Sequence, residues 1–292
     1  MNLIETTWYV CLRKRAANHS IISGGNHTFM LVPKPKHALT ADPFIIEHDG
    51  KLFIFAELMQ ESAHKGVLAV CKYNGDAFTN WEVVINEEFH LAFPNMFKHN
   101  GKLYMIPDGS YHGQLVVYRC DEFPLKWTKV RIIAQGEKFA DSVILDDGLL
   151  LSYHMQKDGN SLTLLKVSEG QASQLGVIAS APDTDKNLRP AGQCFIENGV
   201  LYRPAQDCKK AYGAALDIRQ VTPQEGRLPK EEIVKHIEPN DIKTQRKKLN
   251  KIGIHTYNRT EHFEVVDIKV KCGFSVGYLF AKLKGRLQRG GK

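Results

Sequence analysis

The chain has 292 residues, 43% of them hydrophobic, which is enough to bury a large core. Its 39 lysine and arginine residues outnumber 32 acidic residues, which gives a formal net charge of +7. No stretch approaches the apolar length of a membrane-spanning helix, and the first thirty residues contain no uninterrupted apolar segment of a signal peptide. The composition therefore excludes a membrane-spanning helix, and we expect a cytoplasmic protein.

The spacing of the cysteines and the sequence around the basic residues argue against zinc-binding, disulfide-rich and nucleic-acid-binding proteins. The six cysteines show no C-x-x-C spacing, so the sequence indicates neither a zinc site nor a disulfide framework. No RNA-recognition signature, helix-turn-helix pattern or zinc-finger spacing accompanies the basic clusters, and we expect no nucleic-acid partner. We also expect no metal and no cofactor, because H-E-x-x-H, EF-hand and strand-bounded D-x-D motifs are missing.

Predicted strands begin with residues 6–13, in "TTWYVCLRKR". Four similar units follow, and each contains a strand-like run, an Asx-Gly pair and a second apolar run. The runs before the turns read "PFIIEH", "PNMFKH", "SVILD" and "CFIEN". An Asx-Gly pair supplies the positive φ angles of a tight turn, so each unit is predicted to contain a β-hairpin.

The hairpins repeat at a nearly constant interval. Their turn glycines are separated by 51, 47 and 51 residues and are Gly50, Gly101, Gly148 and Gly199. A period near fifty residues with several strands per unit indicates propeller blades. After Tyr212 the chain is charged up to residue 251, and strand character returns at 262–271. We therefore predict an all-β, five-bladed propeller over residues 1–275, whose ring is closed by the N-terminal strand.

The remaining residues, 276–292, form a basic C-terminal tail. Its sequence "GYLFAKLKGRL" mixes apolar residues with lysine and arginine, as interfacial amphipathic segments do. Gly277 and Gly285 weaken a helix there. Docking of the tail on a protein surface is the preferred interpretation, and peripheral contact with the inner face of an anionic membrane is the alternative.

Polar residues stand near the ends of the predicted inner strands, one or two in each repeat. In a propeller, such sequence-distant residues converge around a central funnel once the ring closes. The candidates are Asp42, Glu57, His90, Asn95, Asp108, Asp141, Arg189, Arg203, Gln206, Asp207 and His255. Tyr212 is a further candidate, as a surface for sugar stacking. For Arg203 and Asp207, a structural ion pair between blades is almost as well supported as a role in glycan binding.

The stretches "ADPF...DGKLFIFAE", "FPNMF...NGKLYMIPD", "RPAGQCFIENGVLYRPAQDCKKAYG" and "GIHTYN" resemble a known module. It is the five-bladed propeller at the N-terminus of plant glucosamine inositolphosphorylceramide transferases, and the resemblance spans residues 35–270. Similar copies occur in bacterial surface-polysaccharide gene clusters. The module is similar to the propellers of glycoside hydrolase family 43, in which the "ADP" aspartate is the general base. The resemblance thus implies Asp42 as the base and Asp108 and Asp141 as further catalytic acids.

The resemblance leaves the type of activity open. The hydrolases use a glutamate of blade three or four as general acid, and this sequence places no convincing glutamate there. Glycosyl transfer needs a base for the nucleophile, and either an acid for the leaving group or an arginine if that group is phosphate. Arg189 and Arg203 could grip a phosphate or a sugar carboxylate.

We therefore predict a carbohydrate-active propeller that acts in surface-polysaccharide or glycolipid assembly, through glycosyl transfer on a glycan or sugar phosphate. The predicted substrate-binding residues are Asn95, Arg189, Arg203, Gln206, Asp207, Tyr212 and His255. Three alternatives stay open: a non-catalytic glycan-binding module that serves a separate glycosyltransferase, a hydrolase-like enzyme, and a protein-interaction propeller.

Overall fold

The fold is seen in a computed structural model. It describes residues 5–15, 20–23, 28–146, 148–168, 171–181, 188–224, 227–246 and 248–272. These residues form five antiparallel sheets and two short 3₁₀ helices, Ser110–His112 and Pro239–Asp241. The five-bladed propeller predicted from the sequence is confirmed. The predicted C-terminal tail lies outside the described residues, and no helix in the described part is long and apolar enough to cross a membrane.

Four blades are consecutive in the chain. Blade I contains β3 (Ala38–His48), β4 (Lys51–Gln60), β5 (Val67–Tyr73) and β6 (Glu82–Ile85). Blade II contains β7 (Ala92–His99), β8 (Lys102–Asp108), β9 (Gln114–Glu122) and β10 (Lys126–Gln135). Blade III contains β11 (Phe139–Asp146), β12 (Leu149–His154), β13 (Asn160–Ser168) and β14 (Gln171–Ala181). Blade IV contains β15 (Phe195–Glu197), β16 (Val200–Asp207), β17 (Ala215–Gln224) and β18 (Arg227–Ile237).

The fifth blade combines both ends of the described chain. Its strands are β1 (Glu5–Lys14), β2 (Met30–Leu31), β19 (Asn250–Gly253), β20 (Tyr257–Arg259) and β21 (Phe263–Cys272). Strand β1 runs antiparallel to β21 along its whole length, and Arg13 Nε donates a 2.6 Å hydrogen bond to buried Glu264 across this pair. The predicted closure of the ring by the N-terminal strand is therefore confirmed, and neither β1 nor β21 is left as an open edge.

An Asx-Gly pair stands between the first two strands of each of the first four blades, and Asp147 of blade III lies outside the described residues. Both residues have positive φ in three of these turns: 48° and 69° at Asp49-Gly50, 47° and 73° at Asn100-Gly101, and 52° and 76° at Asn198-Gly199. This is the geometry of a type I′ turn, whose twist matches that of the flanking strands. The local turn chemistry therefore sets the start of each blade.

The charged stretch after Tyr212 differs from the expectation, because it contains β17 and β18. The prediction that strand character returns only at residue 262 is wrong. Strand β18 is the outermost strand of blade IV, and its residues 232–236 are all exposed. Charged side chains on an exposed edge strand prevent it from pairing with another chain. Because β18 is such a strand, its sequence does not show the apolar pattern of a buried strand.

The core lies between the blades. Neighbouring sheets pack face to face, so the second strand of blade I is buried without interruption from Leu52 to Leu58. This explains why "LFIFAEL" reads as one apolar run rather than an alternating one. The first strands of blades I, II and III contact one another through the pairs β3–β7 and β7–β11, so they lie near the centre of the ring.

Candidate functional site

A β-bulge interrupts the first strand of each of the first three blades. The bulged residues have a left-handed backbone, with φ of 51° at Asp42, 49° at Phe93 and 46° at Asp141, and the pairing register shifts at each. A bulge re-aims the side chain that it carries. The sequences A-D-P, A-F-P and A-D-S therefore mark equivalent positions, and blade II carries phenylalanine where its neighbours carry a carboxylate.

A cavity of about 320 Å³ opens near the centre of the ring, and we call it the central cavity. Residues of blades I, II, IV and V border it. Its charged and titratable residues are Asp42, Glu57, His90, Asp108, Arg189 and His255, and its aromatic residues include Trp8, Tyr111 and Tyr212. Five of the ten predicted site residues thus border the cavity, as do the candidates Glu57 and His90.

Asp42 is held by residues of the closing blade. Thr256 Oγ1 donates a 2.8 Å hydrogen bond to Asp42 Oδ1, and the Asp42 N–H donates to Asp267 Oδ2 at 2.9 Å. Asp267 is fully buried, and its carboxylate also accepts a 2.7 Å hydrogen bond from His255 Nδ1. His255 Nε2 lies 3.6 Å from Asp42 Oδ1. These contacts fix both the backbone and the carboxylate of Asp42.

The histidine in this group carries a positive charge at neutral pH. Burial lowers the pKa of His255, but the Asp267 and Asp42 carboxylates outweigh burial and raise the pKa to about 9. Burial raises the pKa of Asp42, and the His255 charge opposes that rise. The Trp8 ring stacks on His255 with 4.0 Å between centroids. The arrangement places an imidazolium beside a carboxyl group that borders the cavity.

A second group is centred on Arg189. Its Nε donates a short hydrogen bond to Asp141 Oδ2, and its Nη2 lies 3.3 Å from Asp108 Oδ2. Gln206 Nε2 donates to Asp141 Oδ2 at 3.0 Å. Burial raises the pKa of Asp141 to about 7, since Asp108 adds to this effect and Arg189 only partly opposes it. Asp141 therefore sits behind Arg189 and positions it, while Asp108 and Arg189 border the cavity.

Glu57 is the third carboxyl group at the cavity. It lies in β4 opposite Ala41, next to Asp42 in the ladder, and is 8% exposed. Burial, together with Asp42 and Asp108, raises the pKa of Glu57 to about 8. Burial also lowers the pKa of His90, whose Nε2 lies 3.5 Å from Glu57 Oε1. At neutral pH, Glu57 and His90 are therefore both mostly uncharged.

Aromatic side chains stand at the mouth of the cavity on two blades that are not neighbours. Tyr111 of the 3₁₀ helix in blade II is 76% exposed, and Tyr212 after β16 in blade IV is 46% exposed. The Arg189 guanidinium lies 5.4 Å from the centroid of the Tyr212 ring. Exposed rings beside hydroxyl-binding carboxylates are suited to stack on the apolar face of a sugar.

Four predicted binding residues do not border the cavity: Gln206, which is fully buried against Asp141, and Arg203, Asn95 and Asp207. Arg203 is fully buried, and its Nε and Nη2 each donate a 2.6 Å hydrogen bond to Glu231 in the outer strand β18. Its predicted place in the funnel is wrong, and the alternative pairing with Asp207 is wrong too. Asn95 donates a 2.9 Å hydrogen bond to the carbonyl of Ser142, which ties blade II to blade III. Asp207 accepts from the next turn, at Lys209 N.

Four residues of this site were not predicted from the sequence. Trp8 and Tyr111 border the central cavity, and Thr256 and Asp267 are hydrogen-bonded to Asp42. Of these four, only Asp267 could have been recognised from the sequence. It stands inside the apolar strand "FEVVDIKV", and a buried acid there needs a hydrogen-bonding or charged partner. The other three are recognisable only once the closing blade and the Ser110–His112 helix are placed.

Within the described part of the chain, side chains that could hold a metal ion occur in two clusters. In each, one donor atom per residue lies within 4.8 Å of the others, in the sets Asp42, His255, Asp267 and Asp207, Asp217, His236. The first set is already joined by its own hydrogen bonds, as is His236 Nδ1 with Asp217 Oδ1 at 2.7 Å in the second. We assign no metal to either set, and the expected lack of metal and cofactor stays a prediction.

The fold and the cavity define the class as a five-bladed propeller with a carboxylate-lined central cavity. Two solved structures share the fold. The catalytic domain of a GH62 α-L-arabinofuranosidase from Coprinopsis cinerea matches with a TM-score of 0.58, 10% identity, and coverage of 80% of this chain and 90% of that one. An exo-1,5-α-L-arabinanase from a bovine ruminal metagenomic library matches with a TM-score of 0.50, 13% identity, and coverage of 84% and 97%. At these identities the similarity establishes the fold alone.

The sequence itself identifies the family. Residues 30–272 match the family described as glucosamine inositolphosphorylceramide transferase 1, N-terminal, and the chain belongs to this family. A relative from Oryza sativa subsp. indica, named glucosamine inositolphosphorylceramide transferase 1, is 30% identical over 204 residues. The match covers 66% of this chain but only 27% of the relative, so the chain corresponds to little more than a quarter of the plant protein. The resemblance inferred from the motifs is confirmed.

Proposed function

We propose that the central cavity binds a sugar and that the protein acts in glycolipid or surface-polysaccharide assembly by glycosyl transfer. The observation that carries this proposal is the set of buried carboxyl groups at the cavity, Asp42, Glu57 and Asp108, below exposed Tyr111 and Tyr212. Carboxyl groups bind sugar hydroxyls and aromatic rings stack on sugar faces. The family name, which pairs an amino sugar with a sphingolipid, supports the same class of ligand.

The chemistry of the step fits these residues. Glycosyl transfer passes through an oxocarbenium-like state, in which one carboxylate accepts the proton of the incoming hydroxyl. Asp42 is suited to this role, because burial raises its pKa and so makes its carboxylate a stronger base, while the His255 charge 3.6 Å away favours the ionised form. Asp108 would stabilise the positive charge on the sugar ring, while Asp141 keeps Arg189 in place.

The charged groups at the cavity limit the charge that a bound sugar can carry. Arg189 is already bonded to two carboxylates, and Arg203 lies in blade IV away from the cavity. The two arginines therefore do not form a joint phosphate grip, as the sequence analysis had suggested. We propose that the sugar unit in the cavity is neutral or carries an ammonium group, and that the two arginines do not bind a phosphate of the donor.

A second candidate function is a non-catalytic glycan-binding module that serves a separate glycosyltransferase. The observation that favours it is the length of the plant relative, of which the match covers 27%. The rest of that protein leaves room for other domains. In either function, a lipid-linked substrate would bring the protein to the inner face of a membrane.

The test is a ligand screen with one matched pair of variants. We would measure the melting temperature of the wild type, Asp42→Asn and Asp49→Asn with glucosamine, N-acetylglucosamine, glucosamine 1-phosphate and UDP-N-acetylglucosamine. Asp49 is the matched control, since it is exposed and also has a positive φ, 48°. A sugar at about 100 times its Kd should stabilise the wild type and Asp49→Asn by about 2.7 kcal/mol, and Asp42→Asn clearly less.

The outcomes separate the candidate functions. Stabilisation without turnover of any glycosyl donor by the wild type would favour the binding module. Turnover that falls about 100-fold or more in Asp42→Asn would support the transfer reaction. Equal stabilisation of Asp42→Asn and the wild type by every sugar would contradict a sugar site at Asp42.

A further inference from the structure

The carboxyl group of Glu57 occupies a space that the neighbouring chain leaves open for it. A Cβ added at Gly66 would lie 2.4 Å from Glu57 Oε1, 2.8 Å from Glu57 Cγ and 2.9 Å from the Leu91 carbonyl oxygen, so a larger residue would clash with both side chain and backbone. The backbone of Gly66 does not lie in the left-handed region, so its conformation does not require glycine. The glycine is needed for space, and the space is filled by the head of Glu57.

The contacts of His90 decide which Glu57 oxygen is free to carry a proton. The Gly66 N–H donates a 2.9 Å hydrogen bond to His90 Nδ1, so this nitrogen is unprotonated and the neutral ring carries its proton on Nε2. His90 Nε2 lies 3.5 Å from Glu57 Oε1. The proton-bearing nitrogen is therefore beside Oε1, which favours Oε2 as the oxygen that carries a proton on Glu57.

Charged and titratable groups from four elements face Glu57. They are Asp42 on β3, His90 before β7, Asp108 on β8, and His255 and Asp267 of the closing blade. Burial is the largest cause of the raised pKa of Glu57. The carboxyl groups of Asp42, Asp108 and Asp267 add to the rise, and the His255 charge partly opposes it. The resulting pKa of about 8 means that Glu57 holds its proton at neutral pH.

We propose that Glu57 is the proton donor of the site, paired with Asp42 as the base. This inference rests on the proposed glycosyl transfer and supplies the general acid that the sequence did not show in blades three and four. It places the acid in blade I instead, on the strand next to the base.

The proposed step is balanced as follows. The acceptor hydroxyl loses its proton to the Asp42 carboxylate while its oxygen forms a bond to the anomeric carbon. The bond from that carbon to the leaving oxygen breaks, and its electron pair stays on the leaving oxygen, which takes the proton of Glu57. Asp42 ends protonated and Glu57 ionised, and exchange with solvent through the open cavity restores both. Only a poor leaving group such as an alcohol needs this proton, so the proposal predicts a glycoside donor.

The experiment compares leaving groups. The kcat/KM of the wild type, Glu57→Gln and Glu82→Gln would be measured with the phenyl and 2,4-dinitrophenyl glycosides of glucosamine and N-acetylglucosamine. Glu82 is the control, because it is an exposed glutamate of the same blade. Glu57→Gln should lose about 100-fold or more with the phenyl glycosides, and less than about 10-fold with the dinitrophenyl glycosides, which leave without a proton.

A second measurement tests the proton without any substrate. Between about pH 5 and pH 8 the folded protein holds a proton on Glu57 that the unfolded chain has lost, so rising pH favours the unfolded state. The melting temperature of the wild type should therefore fall by several degrees relative to Glu57→Gln over this range. Glu82→Gln should follow the wild type.

The outcomes distinguish this inference from the proposed function. If the wild type cleaves the glycosides and Glu57→Gln loses the same factor with both leaving groups, the proton-donor role is wrong and glycosyl transfer stands. If the melting curves of the wild type and Glu57→Gln stay parallel with pH, Glu57 holds no proton and the inference is wrong. If the wild type cleaves none of the glycosides although Glu57 holds its proton, the glycosyl-transfer proposal fails and the donor role fails with it.

Discussion

Arg203→Ala tests whether the most buried arginine of the described chain is structural. Arg203 has no exposed surface, and it makes two 2.6 Å hydrogen bonds to the Glu231 carboxylate and a 3.4 Å contact to the Leu188 carbonyl. The alanine variant would leave Glu231 buried with only Arg219, whose Nη1 lies 3.7 Å away. Removing one partner of a buried ion pair destabilises a protein by about 3–5 kcal/mol.

The expected change is large enough to measure by thermal or urea unfolding. At about 2–4 °C per kcal/mol for a large domain, the melting temperature should fall by about 6–20 °C. Arg119→Ala is the matched control, because its partner Asp121 is exposed and such surface pairs contribute about 1 kcal/mol or less. The double variant Arg203→Met with Glu231→Leu should recover much of the loss, since it removes both buried charges together.

Two results would contradict a structural role for Arg203. If Arg203→Ala melts within about 2 °C of the wild type, the buried pair contributes too little for the cost expected of an unpaired charge. If the same variant also loses sugar binding, Arg203 belongs to the ligand site after all, and the placement of its side chain against Glu231 is wrong.

Three further predictions concern the ring and the cavity. Gly192→Ala should lower the free energy of unfolding by at least about 3 kcal/mol in urea titrations, because its Cβ would lie 1.9 Å from a carbonyl oxygen of the closing blade; Gly199→Ala, with nothing within 4 Å, should lose only about 1–2 kcal/mol from backbone strain. The His255 imidazole should titrate near pH 9 by NMR, and Asp267→Asn should lower that pKa, whereas an unchanged value would contradict the pairing. Tyr111→Ala should weaken sugar binding about tenfold in calorimetry without lowering the melting temperature, and unchanged affinity would remove Tyr111 from the site.

The hairpins and the blade number were predictable because they depend on local chemistry. An Asx-Gly pair adopts positive φ wherever it stands, and the type I′ turns at Gly50, Gly101 and Gly199 follow from those two residues alone. Their regular spacing then gives four of the five blades, and the strand-like residues 6–13 and 262–271 indicate the fifth. Candidate residues near strand ends, such as Asp42 and His255, border the central cavity, because the ring brings equivalent positions of all blades together.

The errors have a common physical source in the outer strands. The sequence of β18 is charged because the strand is an exposed edge, and edges do not show the apolar pattern that identifies buried strands. Since this strand was missed, its residue Glu231 was not available as a partner for Arg203. Arg203 was therefore assigned to the funnel, or paired with Asp207 nearby in the sequence.

The remaining contacts of the site are made by the closing blade and could not be predicted from the sequence. Asp267 reaches Asp42 and His255 only because β21 pairs with β1 at one particular register, which joins the two ends of the described chain. Trp8 comes to lie against His255 by the same pairing. Contacts that depend on long-range register are not encoded in any local pattern, so the sequence alone could not predict them.

The most direct test of a sugar site at the central cavity is an NMR titration of the indole N–H signals of the three tryptophans. Trp8 borders the cavity, whereas the indole N–H groups of Trp81 and Trp127 donate to the carbonyls of Pro33 and Pro124 away from it. If the account is right, glucosamine or N-acetylglucosamine will shift the Trp8 signal in a saturable way and leave the other two unchanged. A titration in which Trp8 stays fixed, or in which all three signals move together, would contradict a sugar site in the cavity.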